Sequence, residues 1–420
     1  MAATTATQDA DPALMVVRGK QDAARQAEIA TLVAVLDWAL EHTTDDDPDA
    51  VTFGERPLPL GGVGCPVIEE FAAYDLAAAM GMSTDAGLGY LGRALELRYR
   101  LPRLWAAVLD GRLPVWKAGR IAEATMRLPL DGAAHVDARL AQAVRTVTFA
   151  QLDRLIDEAL ARYAPQDLAP AGDERHAWID LTQPTLEGHV HLEGLLSVPD
   201  ALDLEDALRT GAARLADAGC HAPLDVRRSL ALGDLARGDQ PLDHPNQTSQ
   251  TGRALVVHLH QDSPDLARCE TTRTPVTVET IQSWCAASTK VVVKPVIDLN
   301  GHVHVEAYEA PDRLREHIEL RDLTCVFPHC RRPATRCDLD HITPHDLGGT
   351  TSSDNLAPLC RRHHRAKTHG RWRYTMTEPG TFEWTAPSGL TYRRDHHGTT
   401  PLHPPPAEPP AEPPAEPAEP

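Results

Sequence analysis

Apolar positions recur at intervals of three and four through the first part of the chain. Between residues 21 and 42, Ile29, Leu32, Val33, Leu36, Ala39 and Leu40 fall on one face of an α-helix. The acidic run 43–49 stops it, and a Pro/Gly-rich connection covers 56–66. Residues 67–165 read as almost wholly helical. One helix covers 67–80, and Ser83-Thr84-Asp85 offers an N-cap to the next, which carries Leu88, Leu91, Ala94, Leu95 and Leu97. Leu101-Pro102 opens another, ended by Asp110-Gly111, and further helices follow at 115–126 and 133–144. Thr148 caps the last, 149–163. Short loops between such helices imply antiparallel packing in a bundle.

The period changes after residue 166. Alternation at 178–181 and 188–195 predicts a hairpin, 199–218 and 225–236 are helices, 238–251 is a polar loop, 254–260 a strand and 277–286 a short helix. Residues 291–297 and 302–305 flank Asn300-Gly301, the strongest short hairpin signal in the chain. A helix at 311–323 follows, and 372–375 with 381–384 form a hairpin around Glu378-Pro379-Gly380. Residues 1–19 lack any period and read as a disordered leader. The Pro/Ala/Glu-rich tail, 399–420, reads as an extended, solvated, disordered spacer. The fold class expected is α+β, mainly α: a helical region (20–165), a mixed α/β region (166–310), a small C-terminal module (311–385) and the tail.

Composition narrows this little. With 420 residues, 42% hydrophobic and 24% charged, two or three domains with ordinary cores are expected. The first twenty residues have no basic stretch leading into an apolar core, and no run of apolar residues is long enough to span a membrane. Four of the eight cysteines are scattered and four fall in one stretch, 325–360, with metal-ligand spacing, Cys337 being a spare, which fits a reducing cytoplasm. Charge changes the picture more. The chain carries −19 overall, which speaks against tight non-specific DNA binding by the whole protein. Yet 321–373 holds ten Lys/Arg against five Asp, several of them around one cysteine knuckle, as a phosphate backbone would require.

That stretch carries the candidate chemistry. Cys325 and Cys330 form a C-x4-C knuckle, and Cys360 and His363 a C-x2-H knuckle. Two such knuckles supply four ligands at tetrahedral angles, the arrangement of a structural zinc, and a module this small needs the ion's binding energy to fold. Cys337 is a spare thiol able to replace one of the four. Between and just after the knuckles stand Asp340, His341, Asn355 and His364. A carboxylate suits a hard cation such as Mg²⁺ or Mn²⁺, and a neutral imidazole can take a proton from an attacking water. Adjacent on a strand, Asp340 and His341 point to opposite faces and need not compete for one ion.

These residues resemble the D-H, N and H of the HNH nuclease family, whose ββα-metal motif is often wrapped around a knuckle pair. The resemblance implies a DNA endonuclease in which Asp340 and His364 hold the catalytic cation, His341 is the general base and Asn355 braces the loop that orients it. Arg361, Arg362, Arg365 and Lys367 would meet the DNA. Either imidazole suits either metal, so His363 and His364 have two possible assignments. Some family members carry a further histidine four residues after the final one. Here that position is Thr368, and two protein ligands suit magnesium or manganese better than zinc. The helical region resembles the domain of unknown function 222 that accompanies HNH modules in 13E12-repeat proteins. Met82-Ser83, Arg100-Leu101-Pro102, Gly111-Arg112-Leu113 and Arg120-Ile121-Ala122 carry that resemblance, which brings no chemistry with it. The rival expectation is a zinc-stabilised DNA-binding or protein-interaction module without turnover.

Overall fold

The computed structural model describes residues 11–45, 54–141, 146, 148–164, 175–180, 185, 189–237, 257–259, 266–269, 274–286, 299 and 301–402. The loop expected at 238–251, the strand at 291–297 and all of the tail beyond 402 lie outside these. The chain divides into two compact units, one made of 1–169 with 297–420 and the other of 170–296. Among the described residues no helix is long and apolar enough to cross a membrane.

The first unit begins with helix α1 (Pro12–Leu40), nine residues earlier than the apolar period suggests. The reason is local: Asp11 accepts a hydrogen bond from the Ala13 amide at 2.8 Å, and Pro12 occupies the first turn, where its missing N–H costs nothing. Short strands β1 (Pro57–Leu58) and β2 (Ile68–Glu69) pair antiparallel and lead into α2 (Glu70–Ala79). Then come α3 (Thr84–Arg100), α4 (Pro102–Leu109), α5 (Val115–Thr125), α6 (Leu130–Leu140) and α7 (Phe149–Tyr163). Ser83 caps α3 and Thr148 closes a capping box with Gln151 on α7, as the sequence indicates. The leucines and alanines of α1 and α3 to α7 form one core, joined by Ala73 of α2. At its centre Arg100 and Glu96, both fully buried, pair at 2.8 Å. Thr125 and the Gly62 amide also donate to Glu96, and Arg100 donates to the Leu128 carbonyl, so the pair staples α3 to the end of α5 and two loops.

The second unit holds a hairpin of β3 (His176–Asp180) and β4 (His191–Leu195), then α8 (Val198–Asp217) and α9 (Leu224–Arg237). Arg228 grips Glu205 at 2.6 Å across the helix pair. Strands β5 (Val257–Leu259), β6 (Leu266–Cys269) and β7 (Thr274–Thr277) form an antiparallel meander, and α10 (Val278–Ala286) lays Ile281 and Trp284 on Val276.

The first unit resumes with β8 (His304–Val305), α11 (Asp312–Asp322), β9 (Asp338–His341), β10 (Thr351–Ser352), β11 (Leu356–Leu359) and α12 (Arg361–His369). A four-stranded meander follows: β12 (Arg373–Glu378), β13 (Thr381–Thr385), β14 (Thr391–Asp395) and β15 (Gly398–Pro401). β8 pairs with β10, a partner far along the chain. The neighbour that the Asn300-Gly301 signal would give it, 291–297, lies outside the described residues. One expectation is corrected here: the sheet runs to Pro401, past Thr399 where the tail was expected to begin. β14 and β15 were missed because Tyr392 is their one large apolar side chain, buried against Trp372 and His329.

The module's core is aromatic, with Trp372 and Trp384 fully buried and Tyr374 stacked on Trp384 at 4.2 Å. It is not the module's alone. Phe71, Tyr74 and Ala78 of α2 belong to the same buried cluster as Cys325, Phe327, Cys360 and Trp384. Asp75 of α2 accepts hydrogen bonds from the Ser388 amide and hydroxyl, both at 2.8 Å. The start of the helical region and the C-terminal module therefore share one interior.

Candidate metal centre and active site

Strand β9 runs antiparallel to β11, with Asp340 opposite Ala357 and His341 opposite Leu356. α12 starts directly after β11 and packs on β9. Pleating turns Asp340 inward, 4% exposed, toward α12, and His341 outward on the other face. Successive residues on a helix diverge by about 100°, so neighbours His363 and His364 face different partners.

His363 faces the thiols. Its Nδ1 lies 3.4 Å from Cys325 Sγ and 3.2 Å from Cys360 Sγ. With Cys330 these residues form a buried group of four whose ligand atoms all lie within 4.8 Å of one another. Phe327, from the first knuckle, stacks on the imidazole at 3.9 Å. The knuckles are locked together by the Val326 amide donating to the Pro358 carbonyl at 3.0 Å and by the Cys360 amide donating to Cys325 Sγ at 3.4 Å. Burial and the crowding of the neighbouring thiols push the Cys325 thiol well above its ordinary pKa. The Cys330 thiol goes up to about 12. At the start of α12, hydrogen bonds from Cys325 and Cys330 push Cys360 down toward the thiolate. Three sulfurs and one imidazole nitrogen in a buried tetrad are the donor set of a tetrahedral Cys₃His zinc site. The spare thiol, Cys337, donates instead to the Pro333 carbonyl at 3.2 Å.

His364 faces the carboxylates. Its Nε2 lies 3.1 Å from Asp340 Oδ1 and its Nδ1 3.0 Å from Asp338 Oδ2. These two carboxylates raise its pKa, the Asp340 hydrogen bond foremost. Burial alone would raise the Asp340 carboxyl, but His364, Lys367 and the Tyr374 hydroxyl, which donates to Oδ2 at 2.8 Å, hold it below the usual range. Lys367 donates to Asp340 Oδ1 at 3.2 Å and to the His341 carbonyl at 2.8 Å.

His341 Nε2 lies 3.0 Å from the Thr351 hydroxyl, which donates to the Tyr308 carbonyl at 3.3 Å. With that single proton committed, the Thr351 oxygen accepts from Nε2–H and the imidazole lone pair is left on Nδ1. Tyr308 stacks on the ring at 5.3 Å and His345 meets it edge-on at 5.7 Å. Burial, reinforced by His345, lowers the His341 pKa, which favours the neutral form. The Asn355 side chain does not hydrogen-bond to His341. Its Oδ1 accepts from the Thr343 amide at 2.8 Å, and Nδ2 donates to the carbonyls of Thr343 and Thr350 at 3.0 and 2.8 Å. It thus pins both ends of the loop that delivers Thr351. Gly349 is enforced by the same closure, since a Cβ there would sit 1.9 Å from the Thr343 carbonyl oxygen. Replacing Asn355 with alanine removes all three bonds from a buried site. A loss of about 2 kcal/mol in urea-denaturation stability is expected. A loss under a few tenths would show that the loop holds itself.

The four cations behave differently from the expectation that all meet DNA. Arg361 is 80% exposed, with Asp338 at 3.3 Å. Arg362 pairs with Asp85 of α3. Arg365 is largely buried, donating to Glu70 at 2.7 Å and to the Gly54 carbonyl at 2.5 Å, and Lys367 is held as described. Arg365 and Lys367 are committed inside the protein because α12 is packed between β9 and the start of the helical region, while the Arg362–Asp85 pair stays at the surface. Sequence reasoning missed Asp338, Thr351, Tyr374 and Thr84. Asp338 alone left a signal: two residues before Asp340 on a strand, it lies on the same face.

The HNH endonuclease family model matches residues 325–370, and that of a domain of unknown function, DUF222, matches residues 64–322. The uncharacterized protein Rv3776 of Mycobacterium tuberculosis (strain ATCC 25618 / H37Rv) is 30% identical over 372 residues, covering 76% of this chain and 69% of the relative. The uncharacterized protein MT2160 of Mycobacterium tuberculosis (strain CDC 1551 / Oshkosh) is 30% identical over 385 residues, covering 76% of this chain and 68% of the relative. No solved structure matches. The tetrad and the Asp340–His364 pair fall inside the first of these matches, and the helices that pack on them fall largely inside the second. The chain belongs to the DUF222 family and carries an HNH endonuclease domain.

Proposed function

We propose that this protein is a divalent-cation-dependent DNA endonuclease with a zinc-stabilised ββα-metal site made of β9, β11 and α12. The observation that carries the reading is the convergence of Asp340 Oδ1 and His364 Nε2 to 3.1 Å, with His341 on the opposite face of β9. Asp340 and His364 would hold Mg²⁺ or Mn²⁺. The donors fit: one carboxylate kept ionised, one imidazole, and a lysine that already has the His341 carbonyl as a second acceptor. The bound cation supplies electrostatic stabilisation of charge on the scissile phosphate and leaving oxygen. His341, neutral and oriented through Thr351, takes the proton of the attacking water at Nδ1. Asn355 keeps that imidazole in place through the 343–350 loop. Cys325, Cys330, Cys360 and His363 would bind zinc and take no part in the chemistry. Arg361, the exposed member of the basic set, meets the DNA backbone, with Arg362 next to it.

One observation favours the second reading, DNA binding without turnover. Lys367 shares the Asp340 oxygen that the catalytic cation needs. Purified full-length protein incubated with supercoiled plasmid and magnesium or manganese decides between them. Nicked circles that disappear with EDTA are expected. Plasmid that is retarded on a gel but stays supercoiled would move the second reading ahead.

A further inference from the structure

The metal tetrad has an outer partner that comes from the helical region. While His363 Nδ1 points at the Cys325 and Cys360 sulfurs, its Nε2 points away, 2.8 Å from the Thr84 hydroxyl. Thr84 is the first residue of α3, 3% exposed, and 279 residues from His363 in sequence. An imidazole that binds a metal through Nδ1 is neutral and carries its proton on Nε2, so the proton must be donated to Thr84 Oγ1. That bond sets the tautomer and the ring plane. The helical region meets the ring a second time: Tyr74 of α2 packs edge-on against it at 5.9 Å, while Phe327 of the module stacks on it at 3.9 Å. The Tyr74 hydroxyl donates to Glu70 at 2.6 Å, and Glu70 in turn receives Arg365 from α12. Arg362, one residue before the ligand, is held by Asp85, one residue after Thr84.

We propose that Thr84 is a positioning residue for the metal held by Cys325, Cys330, Cys360 and His363, so that the start of the DUF222 region completes the outer sphere of the HNH domain's metal site. This rests on the zinc reading of the tetrad. It gives the helical region a task that its sequence does not disclose. An isolated HNH segment would lack the acceptor for the ligand histidine.

The test uses the full-length, zinc-loaded chain and follows zinc transfer to a chromogenic chelator. Thr84→Val keeps the side-chain volume and removes the hydroxyl, Thr84→Ala removes it with less bulk, and Thr84→Ser restores it. Asp85→Ala loosens the neighbouring ion pair but leaves the hydroxyl. Zinc affinity is expected to fall about 10–100-fold in the valine and alanine variants. The serine and Asp85→Ala proteins should stay within about twofold of wild type, the margin within which the outer-partner effect is absent. Cobalt-substituted Thr84→Val should show shifted ligand-field bands, a readout that simple loosening of the interface does not move. Wild-type zinc retention in either folded hydroxyl-less variant overturns the proposal, as does an equal loss in Asp85→Ala. If the wild type itself holds no zinc, the zinc reading falls and takes this inference with it, so the two failures are distinct.

Discussion

His341→Ala is expected to slow plasmid nicking by roughly 10²–10⁴-fold, the usual contribution of a positioned general base, while zinc content stays at the wild-type level. The argument is one of separation. His341 lies on the face of β9 away from the tetrad and from Asp340, so its removal leaves both sets of metal donors as they are. The ring is only half-buried, and the packing lost is mainly its stack on Tyr308 at 5.3 Å, worth about 1 kcal/mol. Single-turnover nicking rates, with zinc measured on the same preparation, check this. His345 is the obvious substitute base, 5.7 Å away between ring centroids. A rate untouched in His341→Ala but lost in His345→Ala would transfer the role to His345.

Cys360→Ser should have the largest effect on stability. Cys360 opens α12, lies 3.2 Å from His363 Nδ1, and its amide donates to Cys325, so it joins both knuckles. A structural zinc supplies on the order of 10 kcal/mol to a small module at neutral pH, and losing one of four ligands should forfeit roughly 3 kcal/mol or more of it. Because the tetrad and Phe71, Tyr74 and Ala78 of α2 share a core, the loss should reach the helical region as well. Differential scanning calorimetry should show the first unit melting roughly 5–10 °C lower, on the usual scaling for a unit this size. Cys337→Ser is the control, since that thiol bonds a carbonyl outside the tetrad and should keep its zinc. Equal zinc loss in both variants would mean that Cys337 is a ligand.

Much of the local structure was legible because it is decided by neighbours in sequence. Ser83 and Thr148 announce their helices through short-range caps. The start of α1 at Pro12 was legible too, through Asp11-Pro12, but the apolar period begins later and drew attention away from it. The strands of the C-terminal sheet were half visible. β12 and β13 carry Tyr374, Phe382 and Trp384, whereas β14 and β15 take their burial from aromatic residues elsewhere in the chain.

The sequence by itself determined the order and type of most elements, the four candidate thiol and imidazole donors of one knuckle pair, and the Asp-His, Asn and His set beside it. Fixed spacings on a knuckle, strand or helix suffice for that, because backbone geometry sets the distance between near neighbours. The tertiary structure alone decided which of His363 and His364 faces the sulfurs, that Arg365 and Lys367 are spent on Glu70 and Asp340, and that the Thr84 hydroxyl meets the far side of the His363 imidazole. Those contacts join α12 to β9 and, across more than 270 residues of chain, to α2 and α3. They depend on how whole faces pack, which no spacing along the sequence encodes.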